Sequence, residues 1–286
     1  MLYLLVSILC STLIFAIFKG FDLVKVHTLY AIIVNYVIAF CTGLLLYGGL
    51  PSVSAVYETS WFWGTVALGV FFILIFNLMA KTSQVTGVSV ASVATKMSLA
   101  IPVLIGVIWY KESLSGLQVL GILLALLSVY LASVKDDMTQ GIGKSLFLPA
   151  MVFLGSGIID SSMKYFEEFH LTSNEVPLFS ALIFGFAALT GLLFIGFTFK
   201  KRPKFQTKDL MGGIVLGIPN YFSIYFLIRA LENKGFSSAS IFTMNNVGIV
   251  VCSTLLGILF FKERLSQKNW VGIGIAISSI VLVALF

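Results

Sequence analysis

The sequence predicts an all-α integral membrane protein of ten transmembrane helices, arranged as two inverted five-helix repeats. Three observations predict it. Of 286 residues, 59% are hydrophobic and 10% are charged, whereas soluble domains carry about 25% charged residues. The apolar residues fall into ten long runs separated by short polar loops. One phrase also occurs twice. Lys111-Glu112-Ser113-Leu114-Ser115 precedes Gly121, and Lys262-Glu263-Arg264-Leu265-Ser266 precedes Gly272, at an offset of 151.

The runs lie near 2–18, 29–47, 62–80, 87–109, 116–134, 145–164, 177–199, 211–229, 237–260 and 268–286. A helix needs about 20 apolar residues to cross a bilayer. Stretches such as Ile101 to Trp109 and Val119 to Leu127 do not alternate with polar residues, which excludes outer-membrane strands. The first stretch, Met1 to Phe18, lacks a basic leader and a small-residue cleavage site, so it reads as a retained span. Breakers sit between the runs: Gly48-Gly49-Leu50-Pro51, Lys135-Asp136-Asp137 and Lys200-Lys201-Arg202-Pro203-Lys204.

The offset of 151 also pairs Gly106 with Gly257, Ile122 with Ile273, Ala125 with Ala276 and Ser128 with Ser279. An offset of 145 pairs Ser11 with Ser156 and Lys19 with Lys164. The division expected is a first repeat over 1–134, a linker over 135–144 and a second repeat over 145–286. Five spans is an odd number, so the second repeat starts on the opposite side and is inverted. Duplicated membrane units of this kind are the architecture of secondary transporters, with a site between the halves.

The formal net charge is +6, but the basic residues collect in loops, and no nucleic-acid signature is present. Loops 1–2, 3–4, 5–6, 7–8 and 9–10 hold thirteen of the eighteen Lys and Arg; the opposite ends hold four, and Lys96 lies inside span four. The positive-inside rule then puts the basic loop Lys200 to Lys208 in the cytoplasm and both termini outside, in the cell (inner) membrane. Cys10, Cys41 and Cys252 are scattered, and His27 and His170 are isolated. No metal or cofactor is expected.

The repeated phrase has a structural reading. Ser115 and Ser266 are placed to cap the N-termini of spans five and ten, and Glu112 and Glu263 favour those helix ends through backbone N–H groups and the dipole. Gly106, Gly121, Gly257, Gly272 and Gly274 let helices approach closely.

These motifs resemble those of the drug/metabolite transporter superfamily, EamA type. Pro102, Gly106, Glu112, Leu114, Gln118 and Gly121 match in the first repeat, and Gly257, Glu263, Leu265, Asn269 and Gly272 in the second. The resemblance implies ten helices in two inverted repeats and a small-solute carrier with a central cavity. It leaves the solute open. Ser253 stands where Pro102 would fall, a departure expected to alter the bend of span nine.

Lys96 is the leading substrate-facing candidate, because a lysine at membrane depth is costly unless it meets a wet cavity or a partner. The competing reading is a lysine that snorkels or bonds carbonyls. Asn245 and Asn246 in span nine fall opposite the Thr95-Lys96 region in the repeat alignment. Asn35 and Tyr36 in span two, Asn77 in span three, and Asn220, Tyr221 and Tyr225 in span eight complete the polar set. Asp160 and Lys164 lie one turn apart on span six, either as a structural ion pair or as a coupling or gating site, with Lys19 in the symmetric place in span one.

These residues favour a secondary transporter of a small polar metabolite, carboxylate-bearing or amino-acid-like, working by alternating access between the repeats. Its partners would be that solute and the bilayer, as a monomer or homodimer, with no nucleic acid. No G-x-S-x-G, H-E-x-x-H or P-loop pattern points to an enzyme or an ATP-driven pump. The alternative is a channel-like or scaffold subunit.

Overall fold

The computed structural model describes residues 1–47, 56–110, 115–133, 141–172, 175–198, 203–231 and 238–285. Glu112, most of the 135–144 linker and Lys200 to Arg202 lie outside the described residues. Within them the chain forms eleven helices of ten residues or more: α1 (Leu2–Leu23), α2 (Thr28–Tyr47), α3 (Phe62–Val85), α4 (Val88–Met97), α5 (Ala100–Tyr110), α6 (Gly116–Ser133), α7 (Gly141–Phe169), α8 (Val176–Thr198), α9 (Thr207–Leu231), α10 (Ser238–Phe261) and α11 (Gln267–Leu285). The described residues contain no strand. Among the described residues, nine segments are long and apolar enough to cross a membrane, with 88–105 counted as one, and Gln267–Val283 is a shorter apolar helix.

The fourth span is two helices because of Pro102. Proline lacks an N–H and its ring clashes with the carbonyl four residues back, here Ser98. The chain answers with a tighter turn, in which the Ile101 N–H donates to the Ser98 carbonyl at 2.9 Å. The corresponding span, α10, carries Ser253 in place of proline and runs unbroken from Ser238 to Phe261. The Ser253 hydroxyl bonds the Val250 carbonyl of its own turn and the Ser92 hydroxyl of α4.

The two serines of the repeated phrase do cap their helices. The Gln118 N–H donates to Ser115 Oγ at 3.1 Å, while the Ser115 N–H donates to Gln118 Oε1 at 3.0 Å. Ser266 and Asn269 repeat the arrangement at 3.2 and 3.0 Å. Both are capping boxes, in which side chain and backbone exchange bonds over three residues. Asn269 also donates to the Leu131 and Ala132 carbonyls, at 3.1 and 2.8 Å. These belong to the last turn of α6, where carbonyls lack helical partners.

Glu263 acts elsewhere than on its own helix. The chain turns at Lys262, which has φ 53, and the Glu263 carboxylate reaches the start of α4 in the other half. Its Oε1 accepts from the Val88 N–H at 2.6 Å and its Oε2 from the Ser89 hydroxyl at 3.1 Å. The N-cap of α4 is Gly87, which has no side chain to cap with and sits at φ 122. A Cβ on Gly87 would stand 2.9 Å from the carboxylate. A glycine is therefore required there both by the backbone and by the cap.

The pairing of α6 with α11 is the most extensive among the described residues. Small residues permit it: a Cβ on Gly272 would lie 2.6 Å from the Ala132 nitrogen, and one on Gly121 would lie 2.7 Å from Val283. The Ser279 hydroxyl crosses the seam to the Gly121 carbonyl at 2.7 Å. Close backbone approach is how helices associate in lipid, where no hydrophobic force separates side chain from solvent.

Two outcomes test this packing by thermal unfolding in detergent. Glu263→Ala should lose about 1–2 kcal/mol of stability, the cost of an unanswered helix cap, with Glu263→Gln between the two. Gly272→Leu should cost about 1–3 kcal/mol by forcing α6 and α11 apart. Unchanged unfolding midpoints would contradict both assignments.

Candidate functional site

A cavity of about 390 Å³ lies among α3, the α4–α5 break and helices α7 to α10. That is within the range of small-molecule sites, about 300–1,000 Å³. Its polar wall is built from Thr95, Lys96, Ser98, Ser156, Asp160, Asn220, Asn245 and Asn246. Phe72, Phe76, Phe184 and Phe242 face the same space.

The α4–α5 break shapes the charged side. Lys96 is in the last turn of α4, where a cation suits the helix dipole. Ser98 sits in the break. Its hydroxyl lies 2.6 Å from the Thr95 carbonyl and 3.0 Å from Asp160 Oδ2 of α7. Asp160 is exposed into the cavity. Lys96 and Asp160 both line this cavity, so it carries one charge of each sign. Two opposite charges at one wet cavity avoid most of the cost of isolated charges in lipid.

The amides divide by position. Asn246 is half-buried at the cavity wall. Asn245 is buried and accepts from Ser7 Oγ of α1 at 3.3 Å, and the same hydroxyl lies 2.7 Å from the Ser223 carbonyl of α9. Asn220 lines the cavity and donates to Asn35 Oδ1 at 3.1 Å. Pro219 precedes it inside the unbroken helix α9. Asn35 thus sits behind the wall, touching the site through Asn220. Tyr36 is fully buried; its hydroxyl donates to the Phe72 carbonyl at 3.0 Å and its ring stacks on Phe184. It braces two wall residues. Asn77 turns back to its own helix, donating to the Ile73 carbonyl at 2.7 Å.

Tyr221 and Tyr225 share a face of α9, stacked at 6.2 Å, with Arg229 over the Tyr225 ring. Neither tyrosine is among the cavity-lining residues. Lys164 is half-buried one turn beyond Asp160. Lys19 donates to the Gln84 carbonyl at 2.7 Å, near the end of α3. Gln84 in turn donates to the Phe18 carbonyl and to Thr28 Oγ1, both at 3.0 Å. Lys19 thus ties α1 to α3 near the membrane edge, away from the cavity. Glu263, Gly121 and Gly272 occupy the helix contacts described above.

Sequence reasoning did not single out Ser98 or the four phenylalanines. Ser98 could have been found from Pro102, whose broken turn falls four residues earlier. The phenylalanines carry no such signal among 26 of their kind.

A bundle of apolar helices enclosing a charged, amide-lined cavity defines a multi-pass membrane protein of transporter type. The comparisons with known proteins agree. The model of the EamA-like transporter family matches residues 144–285. That match covers the C-terminal part of the chain, and its family is the EamA type that the repeated sequence motifs resemble. An uncharacterized protein of Haemophilus influenzae (strain ATCC 51907 / DSM 11121 / KW20 / Rd) is 28% identical over 285 residues, covering 97% of this chain and 95% of its own. One solved crystal structure superposes with a TM-score of 0.60 at 14% identity, over 99% of this chain and 96% of that one. At that identity the likeness concerns the fold alone.

A double-mutant cycle tests the cross-cavity pair. Lys96→Ala and Asp160→Ala should each lower the unfolding midpoint in detergent. The double variant should recover about 1–2 kcal/mol relative to their sum, because neither charge is then left alone. Strict additivity would mean that the two charges do not interact.

Proposed function

We propose that this protein is a secondary transporter of a small carboxylate-bearing, amino-acid-like solute, working by alternating access. The observation that carries the reading is the cavity whose polar wall holds both Lys96 and Asp160. A zwitterion would set its carboxylate at Lys96 and its ammonium at Asp160. Asn245, Asn246 and Asn220 would orient it by hydrogen bonds, and the phenylalanines would hold an apolar side chain. Tyr36 and Asn35 act from behind the wall.

Alternating access requires two halves that can rock about the site, and the helix pairings support an inverted repeat. Exchanging the five spans of each half turns the α1–α9 pair into α7–α3, α1–α10 into α7–α4, and α2–α9 into α8–α3. All six of these pairs are present. The α2–α8, α4–α10 and α6–α11 pairs map onto themselves and are present too. We take the halves as 1–134 and 145–286, in the inner membrane with both termini outside. A carrier without an ATP-binding loop draws on gradients. A channel-like subunit would instead show flux that does not saturate.

Asp160 is our candidate for proton coupling. Ser98 has one hydroxyl proton and two acceptors, the Thr95 carbonyl and Asp160. A protonated Asp160 can donate to Ser98 while Ser98 donates to Thr95, so both bonds are made at once. An ionised Asp160 competes with Thr95 for that proton and is held by Lys96.

Purified protein screened for thermal stabilisation by small metabolites should respond to a zwitterion or carboxylate, and Lys96→Ala should abolish the shift. Equal stabilisation of both proteins by neutral or cationic compounds would remove Lys96 from binding. In proteoliposomes, Asp160→Asn should flatten the pH dependence of uptake. Retention of the full pH dependence would remove Asp160 from coupling.

A further inference from the structure

A second recess, of about 520 Å³, lies on the outer face of the bundle among α2, α8 and the start of α9. It is separate from the central cavity and shares no residue with it. Its α2 wall is Tyr30, Ile33, Val34, Val37 and Ile38, the spacing of one helix face. Apart from the Tyr30 hydroxyl its lining side chains are hydrocarbon. Val37 and Leu210 are each 40% exposed, so the recess opens to the side, toward lipid.

Its length and ends identify what fills it. From Tyr30 to Ile38, α2 rises about 12 Å, close to half of the roughly 30 Å hydrocarbon core. The recess is therefore about one leaflet deep. One end is polar: the Tyr30 hydroxyl donates to the Pro203 carbonyl at 2.7 Å, and Phe205 sets its ring edge against Tyr30 at 5.6 Å. This fastens the segment before α9 across the mouth. Lys204, exposed, and Lys208, half-buried, belong to that segment and the first turn of α9. The nearby carboxylate is already engaged, since Asp209 accepts from the His27 N–H at 2.8 Å and the Gln206 N–H at 2.9 Å. Two lysines thus lie in the segment that Tyr30 fastens at the polar end of the slot.

We propose that this recess is a binding site for one anionic phospholipid of the leaflet on the basic-loop side. An acyl chain lies along α2 between Leu192 and Ile214, and the phosphate meets Lys204 and Lys208. Clusters of lysine beside a membrane segment favour anionic headgroups, and the slot adds a fixed chain position that a diffuse basic surface lacks.

Native mass spectrometry of the purified full chain tests this, with phosphatidylglycerol and phosphatidylcholine of matched chains supplied in equal amounts. The wild type should retain one phosphatidylglycerol through detergent washing at several-fold higher occupancy than phosphatidylcholine. Lys204→Gln/Lys208→Gln should abolish that preference while leaving the unfolding midpoint in lipid-free detergent unchanged. Val37→Trp, which fills the slot at an already exposed position, should lower retention of both lipids. Equal retention of the two lipids by the wild type would overturn the proposal. So would a preference that survives the lysine substitutions, or retention unaffected by Val37→Trp.

Discussion

In hydrocarbon no water answers an unpaired backbone group, so a helix can be interrupted only where protein or a wet cavity supplies the missing partners. The fourth span is interrupted at Ser98, and the architecture around it follows from that constraint. The broken turn forms its own bond from Ile101 to Ser98. Its side chain turns to Asp160 on α7. The break borders the cavity, and Lys96, two residues earlier, lines it rather than being stranded in lipid.

The short helix α4 then needs a fixed start, and it carries none of its own. Gly87 cannot cap, so the carboxylate of Glu263, 175 positions from Val88, accepts the Val88 N–H instead. The half that contributes Asn245 and Asn246 thereby positions the helix that contributes Lys96. Such a bond couples the loop after α10 to the orientation of the charged residue at the site. Lys19 with Gln84, Gln84 with Thr28, and Asp209 with His27 tie further helices at the same, basic-loop end. These hydrogen bonds tie helices of both halves of the chain together at that end.

Much of this was legible in the sequence. The spans, the duplicated phrase and the two serine caps follow from local patterns, because hydropathy and capping are short-range rules. The proline difference between spans four and nine is also local, and it appears as a broken helix against a continuous one. Other features depend on how helices are rotated against one another. Asn35 and Asn220 look alike in sequence, yet one sits behind the wall and the other in it. Asp160 has a lysine one turn away on its own helix, and its hydrogen bond nonetheless goes to Ser98, 62 positions distant. Glu263 has the helix of span ten beside it, and its carboxylate reaches α4. Long-range partners of this kind are set by packing.

The central claim is that the cavity is an aqueous site open to one side of the membrane at a time. The most direct test places a single cysteine at Asn246 in a chain with Cys10, Cys41 and Cys252 replaced, reconstituted in vesicles of known orientation. A membrane-impermeant maleimide should label it from one side of the membrane and not from both sides together. Labelling from both sides at once would indicate a continuous pore, and no labelling from either side, with an external loop cysteine reacting normally, would mean that the cavity is closed to water.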